Sequence, residues 1–261
     1  MLPHVVIGTV SVPSYPLMLV VALGIGTYLL RVELERTQLA VSQCMIAAAA
    51  GCLAGPAAAR LWSSFFDVYS VDAGVGFWQA LQRGGLSVFG GVIGGLVAGA
   101  IVCRARGVPL TPLIDAAAPG IAVAIGVGRI GCLMSGCCYG RPTTFPIALI
   151  FTHWDAGARP LGVPLHATQV YELILCVLLG AGLMRVRLTP VGLRASLLAC
   201  FYGAIRFGLE FLRADERGEI SDWPTTQLAA LCLLLAGLVA LVRLKRRRAV
   251  EPVAVGDVEV R

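Results

Sequence analysis

The run Gly128-Arg129-Ile130-Gly131-Cys132-Leu133-Met134-Ser135-Gly136-Cys137-Cys138-Tyr139-Gly140 puts a guanidinium at the end of a long apolar segment, among glycines and thiols. An arginine inside a hydrocarbon layer costs about 2.5–3.5 kcal/mol on insertion scales, so it faces a cavity and does a job there. Further along, Tyr202, Arg206, Glu210 and Arg213 recur at helical spacing and lie on roughly one helix face. Arg206 and Glu210 can pair, which lowers the cost of burying either. Arg129 has no acidic neighbour in sequence, so two intramembrane arginines share one nearby carboxylate. That imbalance calls for an anionic ligand, and the planar fork of arginine matches two phosphate oxygens at once. The plainer alternative is a structural Arg206–Glu210 pair.

Two more stretches carry polar chemistry. In Pro164-Leu165-His166-Ala167-Thr168-Gln169-Val170-Tyr171-Glu172, Thr168 reads as a helix N-cap, and Gln169 and Glu172 share a face. His166 is the histidine best placed for proton transfer near neutral pH; a plain hydrogen-bonding role is the alternative. The stretch from Arg83 to Gly95 pairs Gly90 with Gly94 and Gly91 with Gly95, a smooth surface for a helix contact or for a cleft. Among the nine cysteines, Cys44, Cys52, Cys103, Cys176, Cys200 and Cys232 stand singly in or beside apolar segments, as small hydrophobes do. Cys132, Cys137 and Cys138 cluster, which reads as small-residue packing or a local disulfide. With no second thiol pair or nearby histidine, neither a metal nor a cofactor is expected.

The elements that position these groups are apolar helices. Hydrophobic residues make up 57% of the chain and charged residues 14%, well below the roughly 25% of a soluble domain. The apolar runs predict an all-α integral membrane bundle of seven transmembrane helices: Tyr15–Leu30, Leu39–Ala59, Leu86–Cys103, Pro112–Leu133, Thr168–Met184, Val191–Leu212 and Gln227–Leu244. The first lacks the basic flank of a secretory signal and is read as retained. Arg31, Arg36, Arg104, Arg106, Arg185, Arg187 and the cluster Lys245–Arg248 fall on one side, which predicts a cytoplasmic C-terminus and an outer N-terminus. The net charge of +6 is then topological and gives no nucleic-acid signal. Residues 1–248 read as a single transmembrane domain and 249–261 as a disordered cytoplasmic tail.

From Tyr15 to Leu244 the chain resembles the prolipoprotein diacylglyceryl transferase family, with the motifs in that family's order. The resemblance rests on Tyr15 with Leu17-Met18, Ala59-Arg60-Leu61, Gly85-Leu86-Ser87 with Gly90-Gly91 and Gly94, and Asp115 and Pro119 before Gly128-Arg129-Ile130-Gly131. His166, Gln169, Tyr171 and Glu172 match the block before the fifth helix, and Tyr202-Gly203, Arg206, Glu210-Phe211 and Arg213 match the sixth. It implies transfer of a diacylglyceryl group from phosphatidylglycerol to the lipobox cysteine of prolipoproteins in a bacterial cytoplasmic (inner) membrane. Glycerol phosphate would be released. The phospholipid, the signal peptides and the membrane are the implied partners. Arg129, Arg206, Glu210 and His166 would be catalytic. Tyr15, Arg60, Gly90, Gly91, Gln169, Tyr171, Glu172, Tyr202 and Arg213 would contact substrate.

The chain also departs from the family pattern. Phe89 stands where the family usually has a histidine, and Cys132, Ser135 and Cys137 stand where it usually carries asparagines and a glutamate. A phenylalanine cannot take a proton, so any base lies elsewhere, with His166 the nearest choice. The competing reading is a non-catalytic or altered-substrate phospholipid- or lipoprotein-binding membrane protein. A secondary transporter would also bury charge beside Gly-broken helices, but no inverted pair of half-chains is apparent.

Overall fold

The computed structural model describes residues 4–7, 9–70, 78–79, 81, 88–214, 219–220 and 223–250. Among these the regular structure is predominantly helical: α1 (Ser14–Leu34), α2 (Val41–Ser70), α3 (Val88–Arg106), α4 (Leu110–Ser135), α5 (Thr168–Arg185), α6 (Leu193–Glu210) and α7 (Thr225–Val250). Each expected apolar span falls on one of these helices. Five contain stretches long and apolar enough to cross a membrane: Ser14–Leu34, Val41–Phe65, Leu110–Ser135, Thr168–Arg185 and Thr226–Arg247. The protein is thus a multi-pass helical membrane protein. α6 is 18 residues long and carries three charged residues, Arg194, Arg206 and Glu210.

Among the described residues there are three short antiparallel hairpins, one ahead of α1 and two between helices, a feature that apolar periodicity did not reveal. β1 (His4–Ile7) pairs with β2 (Val10–Pro13), β3 (Ala148–Ile150) with β4 (Pro164–His166), and β5 (Glu219–Ile220) with β6 (Trp223–Pro224). The turn at Arg83–Gly85 and the tail beyond Val250 lie outside the described residues.

The chain divides into two compact units, one of Thr27–Ala117 and one of Met1–Gly26 with Ala118–Arg261. In the first, Leu30, Leu34, Cys44, Ala47, Cys103, Val108, Leu113 and Ala116 form a buried core. α2 and α3 run antiparallel with backbones close together: a Cβ added to Gly51 would meet the Gly95 carbonyl at 3.0 Å, and one on Gly90 would meet the Ala58 carbonyl at 2.8 Å and collide with Trp62. With little hydrophobic drive between helices in lipid, such small-residue contacts are what bind one helix to the next.

The second unit uses the same device. A Cβ on Gly120 would come 2.5 Å from the Gly26 carbonyl, bringing α1 against α4; one on Gly126 would meet the Leu173 carbonyl of α5 at 3.0 Å. α6 and α7 approach at Gly203, where an added Cβ would lie 2.7 Å from the Leu234 nitrogen. Ala118, Ala122 and Leu183 are buried together, with Leu179, Leu197 and Leu198 against them. Buried Arg194 has a structural use. It donates to the carbonyls of Val186 at 2.8 Å and Met184 at 3.3 Å, satisfying the last turn of α5.

Between α4 and α5 the chain folds on itself rather than running as an open loop. Phe151, Ala156, Ala158 and Leu165 form a small buried cluster there. The loop is fastened to the end of α6: the Arg141 N–H donates to the Leu212 carbonyl at 2.8 Å, and the Ala214 N–H to that of Tyr139 at 3.2 Å. This joint fixes the Gly136–Arg141 segment next to Arg213 and sets up the site.

Candidate functional site

The second unit gathers its ionisable residues where the C-terminal part of α4, the first turns of α5 and the end of α6 meet. Glu172, almost fully buried, is the hub. Its Oε1 accepts from Arg129 Nη2 at 2.6 Å, and its Oε2 lies 3.5 Å from Arg206 Nη1. The Tyr202 hydroxyl donates to the same Oε1 at 3.4 Å. Arg206 Nη2 donates to Glu210 Oε2 at 3.0 Å, and Arg213 Nε is 4.0 Å from that oxygen. Thr226, at the start of α7, donates through Oγ1 to Glu210 Oε1 at 2.6 Å.

This corrects the charge count read from sequence. Arg129 does have a carboxylate partner, Glu172, but it lies 43 residues away on another helix, where spacing rules cannot find it. Among the described residues, three guanidinium groups face two carboxylates. Arg206 Nη1 is buried and makes no hydrogen bond despite its proximity to Glu172. A buried donor without an acceptor is costly, typically about 1–3 kcal/mol. An anionic oxygen there would relieve that cost.

Thiols occupy the other side of Arg129. Its Nη1 is 3.9 Å from Cys132 Sγ and 3.7 Å from Cys138 Sγ. The turn that returns the thiols to α4 uses left-handed backbone at Gly136 (φ 70°) and at Cys138 (φ 61°). A side chain at Gly136 would also strike Ala156, with its Cβ at 2.8 Å. Thr168 Oγ1 donates to the Cys138 carbonyl at 2.6 Å, and Gln169 Nε2 to the Cys137 carbonyl at 2.7 Å. The expected N-cap role of Thr168 therefore gives way. α5 is preceded by Ala167 with no side-chain cap, because the threonine hydroxyl bonds the thiol loop instead. All nine cysteines are free thiols, so the alternative of a local disulfide is not what forms. Thiol hydrogen bonds from Cys132 and Cys137, then the guanidinium groups of Arg213 and Arg129, hold the Cys138 thiol below its ordinary pKa against the effect of burial. Hydrogen bonding to the same two neighbours pushes Cys137 the other way.

Tyr15 adjoins this side, since a Cβ on Gly131 would sit 3.2 Å from its Cα. His166 and Tyr171 form a separate pair: His166 Nδ1 lies 3.5 Å from the Tyr171 hydroxyl, which donates to the Ile147 carbonyl at 3.1 Å. Phe145 stands beside the imidazole, with ring centroids 6.3 Å apart. Arg60, Gly90 and Gly91 belong to the other unit. Arg60 donates to the Leu81 carbonyl, and Gly91 packs toward Ala59 and Gly55, the helix-contact alternative for that motif. Thr226 escaped sequence reasoning, since nothing about a threonine opening the last helix marks it as the partner of Glu210.

An all-helical membrane protein with a buried arginine–glutamate cluster beside an apolar bundle is the class that this architecture and site define. The chain belongs to the prolipoprotein diacylglyceryl transferase family, whose model matches residues 4–243. It is similar to the phosphatidylglycerol–prolipoprotein diacylglyceryl transferase of Clostridium tetani, at 35% identity over 59% of this chain and 62% of the relative. A second enzyme of that name, from Clostridium perfringens, is 36% identical over 59% of this chain and 60% of the relative. The protein of that name from Gloeobacter violaceus is 33% identical over 73% of each chain. The chain thus covers about three-fifths of the length of the two clostridial relatives.

Proposed function

We propose that the protein transfers the diacylglyceryl group of phosphatidylglycerol to the lipobox cysteine of prolipoproteins, the first step of lipoprotein maturation. Family membership supports the reaction class. The observation that carries the reading to these residues is the buried Arg206 Nη1, which makes no hydrogen bond within the arginine–glutamate cluster.

In this reaction the phosphodiester carries one negative charge and leaves as a glycerol phosphate with a second. Fixed cations aimed at the phosphate stabilise that added charge more in the transition state than in the bound lipid, which is what accelerates a reaction. Arg129 and Arg206 would grip the phosphate, with Glu172 and Glu210 setting their geometry. Arg213 adds long-range positive potential, and Tyr15, Gln169, Tyr171 and Tyr202 orient lipid or peptide. The acceptor thiol must lose its proton, and His166, just ahead of α5, is the imidazole that would receive it. Substrate contacts by Arg60, Gly90 and Gly91 rest on the family resemblance.

Seven membrane crossings with the N-terminus outside and the C-terminus in the cytoplasm agree with the arginine distribution. On this reading the enzyme works in the bacterial cytoplasmic membrane with its site toward the outer face.

The test is an assay in membranes holding labelled phosphatidylglycerol and a prolipoprotein peptide. Label should move to the peptide cysteine, and Arg129→Ala and Arg206→Ala should each abolish transfer while the protein still inserts. Normal transfer by either variant would remove the phosphate clamp. Retained lipid binding without any turnover by the unaltered protein would favour a binding protein instead.

A further inference from the structure

Three thiols converge beside Arg129. The Sγ atoms of Cys132, Cys137 and Cys138 all lie within 4.8 Å of one another, and the group has three members among the described residues. The backbone is held in the conformation that makes them converge: Cys138 is a non-glycine residue at φ 61°, a geometry that costs about 1–2 kcal/mol. The Cys137 N–H donates to the Cys132 carbonyl at 3.1 Å, and Thr168 and Gln169 clamp the carbonyls of Cys138 and Cys137.

We propose that Cys132, Cys137 and Cys138 bind one thiophilic divalent metal ion of the zinc class and leave its fourth position open to the sulfur of an incoming thiol. Sulfurs around a tetrahedral zinc, with bonds of about 2.3 Å, stand about 3.8 Å apart, so small side-chain rotations close the cage. Three protein ligands and an open position are the composition of a catalytic site, whereas structural sites take four. Three thiolates and a divalent ion carry one negative charge. Arg129 Nη1, which faces two of the sulfurs, offsets it with N–H···S contacts of the kind that tune a metal's outer shell. Sequence spacing set a metal aside for want of a histidine or a second thiol pair; the convergence of the three sulfurs reverses that expectation.

The role of the open position rests on the transfer reading above. A free thiol has a pKa of about 8.5 and is mostly protonated at neutral pH, and Phe89 cannot accept its proton. On coordination the acceptor S–H gives its proton to water or to His166. The sulfur's electron pair then forms a bond to the glyceryl carbon, and the carbon–oxygen bond to phosphate breaks. That bond's electron pair leaves on the oxygen of glycerol phosphate, the metal stays divalent, and the neutral thioether dissociates as the weaker ligand.

The experiment uses the full chain in detergent with a non-thiol reductant and cobalt(II) as the probe. One equivalent of cobalt should bind with a thiolate-to-metal charge-transfer band, and zinc should displace it. Cys132→Ser, Cys137→Ser and Cys138→Ser should each weaken cobalt binding more than ~100-fold, beyond the loss typical of an outer-shell partner. Cys232→Ser, on α7, should leave it unchanged. Absence of the band in the reduced protein, or a band that survives in the triple serine variant, overturns the site. A lipobox-cysteine peptide should shift the visible cobalt spectrum, and its serine counterpart should not; an identical response to both overturns the open position. In the labelled-lipid assay, chelation should lower transfer at least ~10-fold and zinc should restore it. Undiminished transfer after verified metal removal overturns the thiol-activating role. A cobalt band and peptide response without any lipid transfer would keep the metal site and refute the transfer reading.

Discussion

Replacing Glu172 by glutamine tests the electrostatic design most directly. The amide keeps the shape of the carboxylate and one carbonyl acceptor, so Arg129 Nη2, now 2.6 Å from Oε1, still finds an oxygen. What goes is the charge shared between Arg129 and Arg206. Hydrogen bonds to charged groups contribute about 1.5–3 kcal/mol and neutral ones about 0.5–1.5, so weakening the bonds from Arg129 and Tyr202 removes roughly 2–3 kcal/mol. If the arginines must be held for the phosphate to leave, kcat falls by about 30- to 150-fold, since each 1.36 kcal/mol is a factor of ten. The sign on substrate binding is opposite. Losing a carboxylate makes the cluster more positive by one charge, so anionic lipid should bind as well as before or better. The expected signature is therefore a large fall in kcat with KM unchanged or lowered, measured with labelled phosphatidylglycerol in mixed micelles. A folded Glu172→Gln protein with kcat within threefold of the unaltered enzyme, or with KM raised and kcat intact, would refute this account.

Other outcomes follow from the same geometry. Arg129→Lys keeps the charge but loses the fork that reaches Glu172 with one nitrogen and the thiols with the other, so transfer should drop about 10²- to 10³-fold in the lipid assay. Thr226→Val removes the 2.6 Å bond to Glu210 and should slow transfer roughly 10-fold without loss of membrane insertion. Gly203→Ala, whose Cβ would meet the Leu234 nitrogen at 2.7 Å, should cost about 1–3 kcal/mol in thermal unfolding. Gly208→Ala, on the same helix with open space at its Cβ, should leave the melting temperature unchanged or slightly raised.

Helical periodicity made much of this protein legible. The apolar runs fall on the helices of the described residues, and helical spacing put Arg206 and Glu210 on one face because a contact four residues apart is local. Glu172 was visible as a polar residue of the fifth span, but its hold on Arg129 depends on how two helices pack, which spacing along one chain does not encode. The thiols show the opposite limit. Their spacing was plain in the sequence, yet it reads as packing or a disulfide until the left-handed turns at Gly136 and Cys138 bring the sulfurs together. The short hairpins were missed because three- and four-residue strands leave too little alternation to register.

Thr168 and Gln169 hold the thiol loop by the carbonyl groups of Cys138 and Cys137, and every amino acid carries a carbonyl. The anchorage is therefore blind to side-chain identity. A lineage can exchange the side chain at position 137, trading a polar group for a thiol, without unfastening the loop or disturbing the helix that bears Glu172. The shape of the site and its chemistry can be inherited separately, which gives a membrane enzyme a route to a new way of activating its acceptor on an old scaffold.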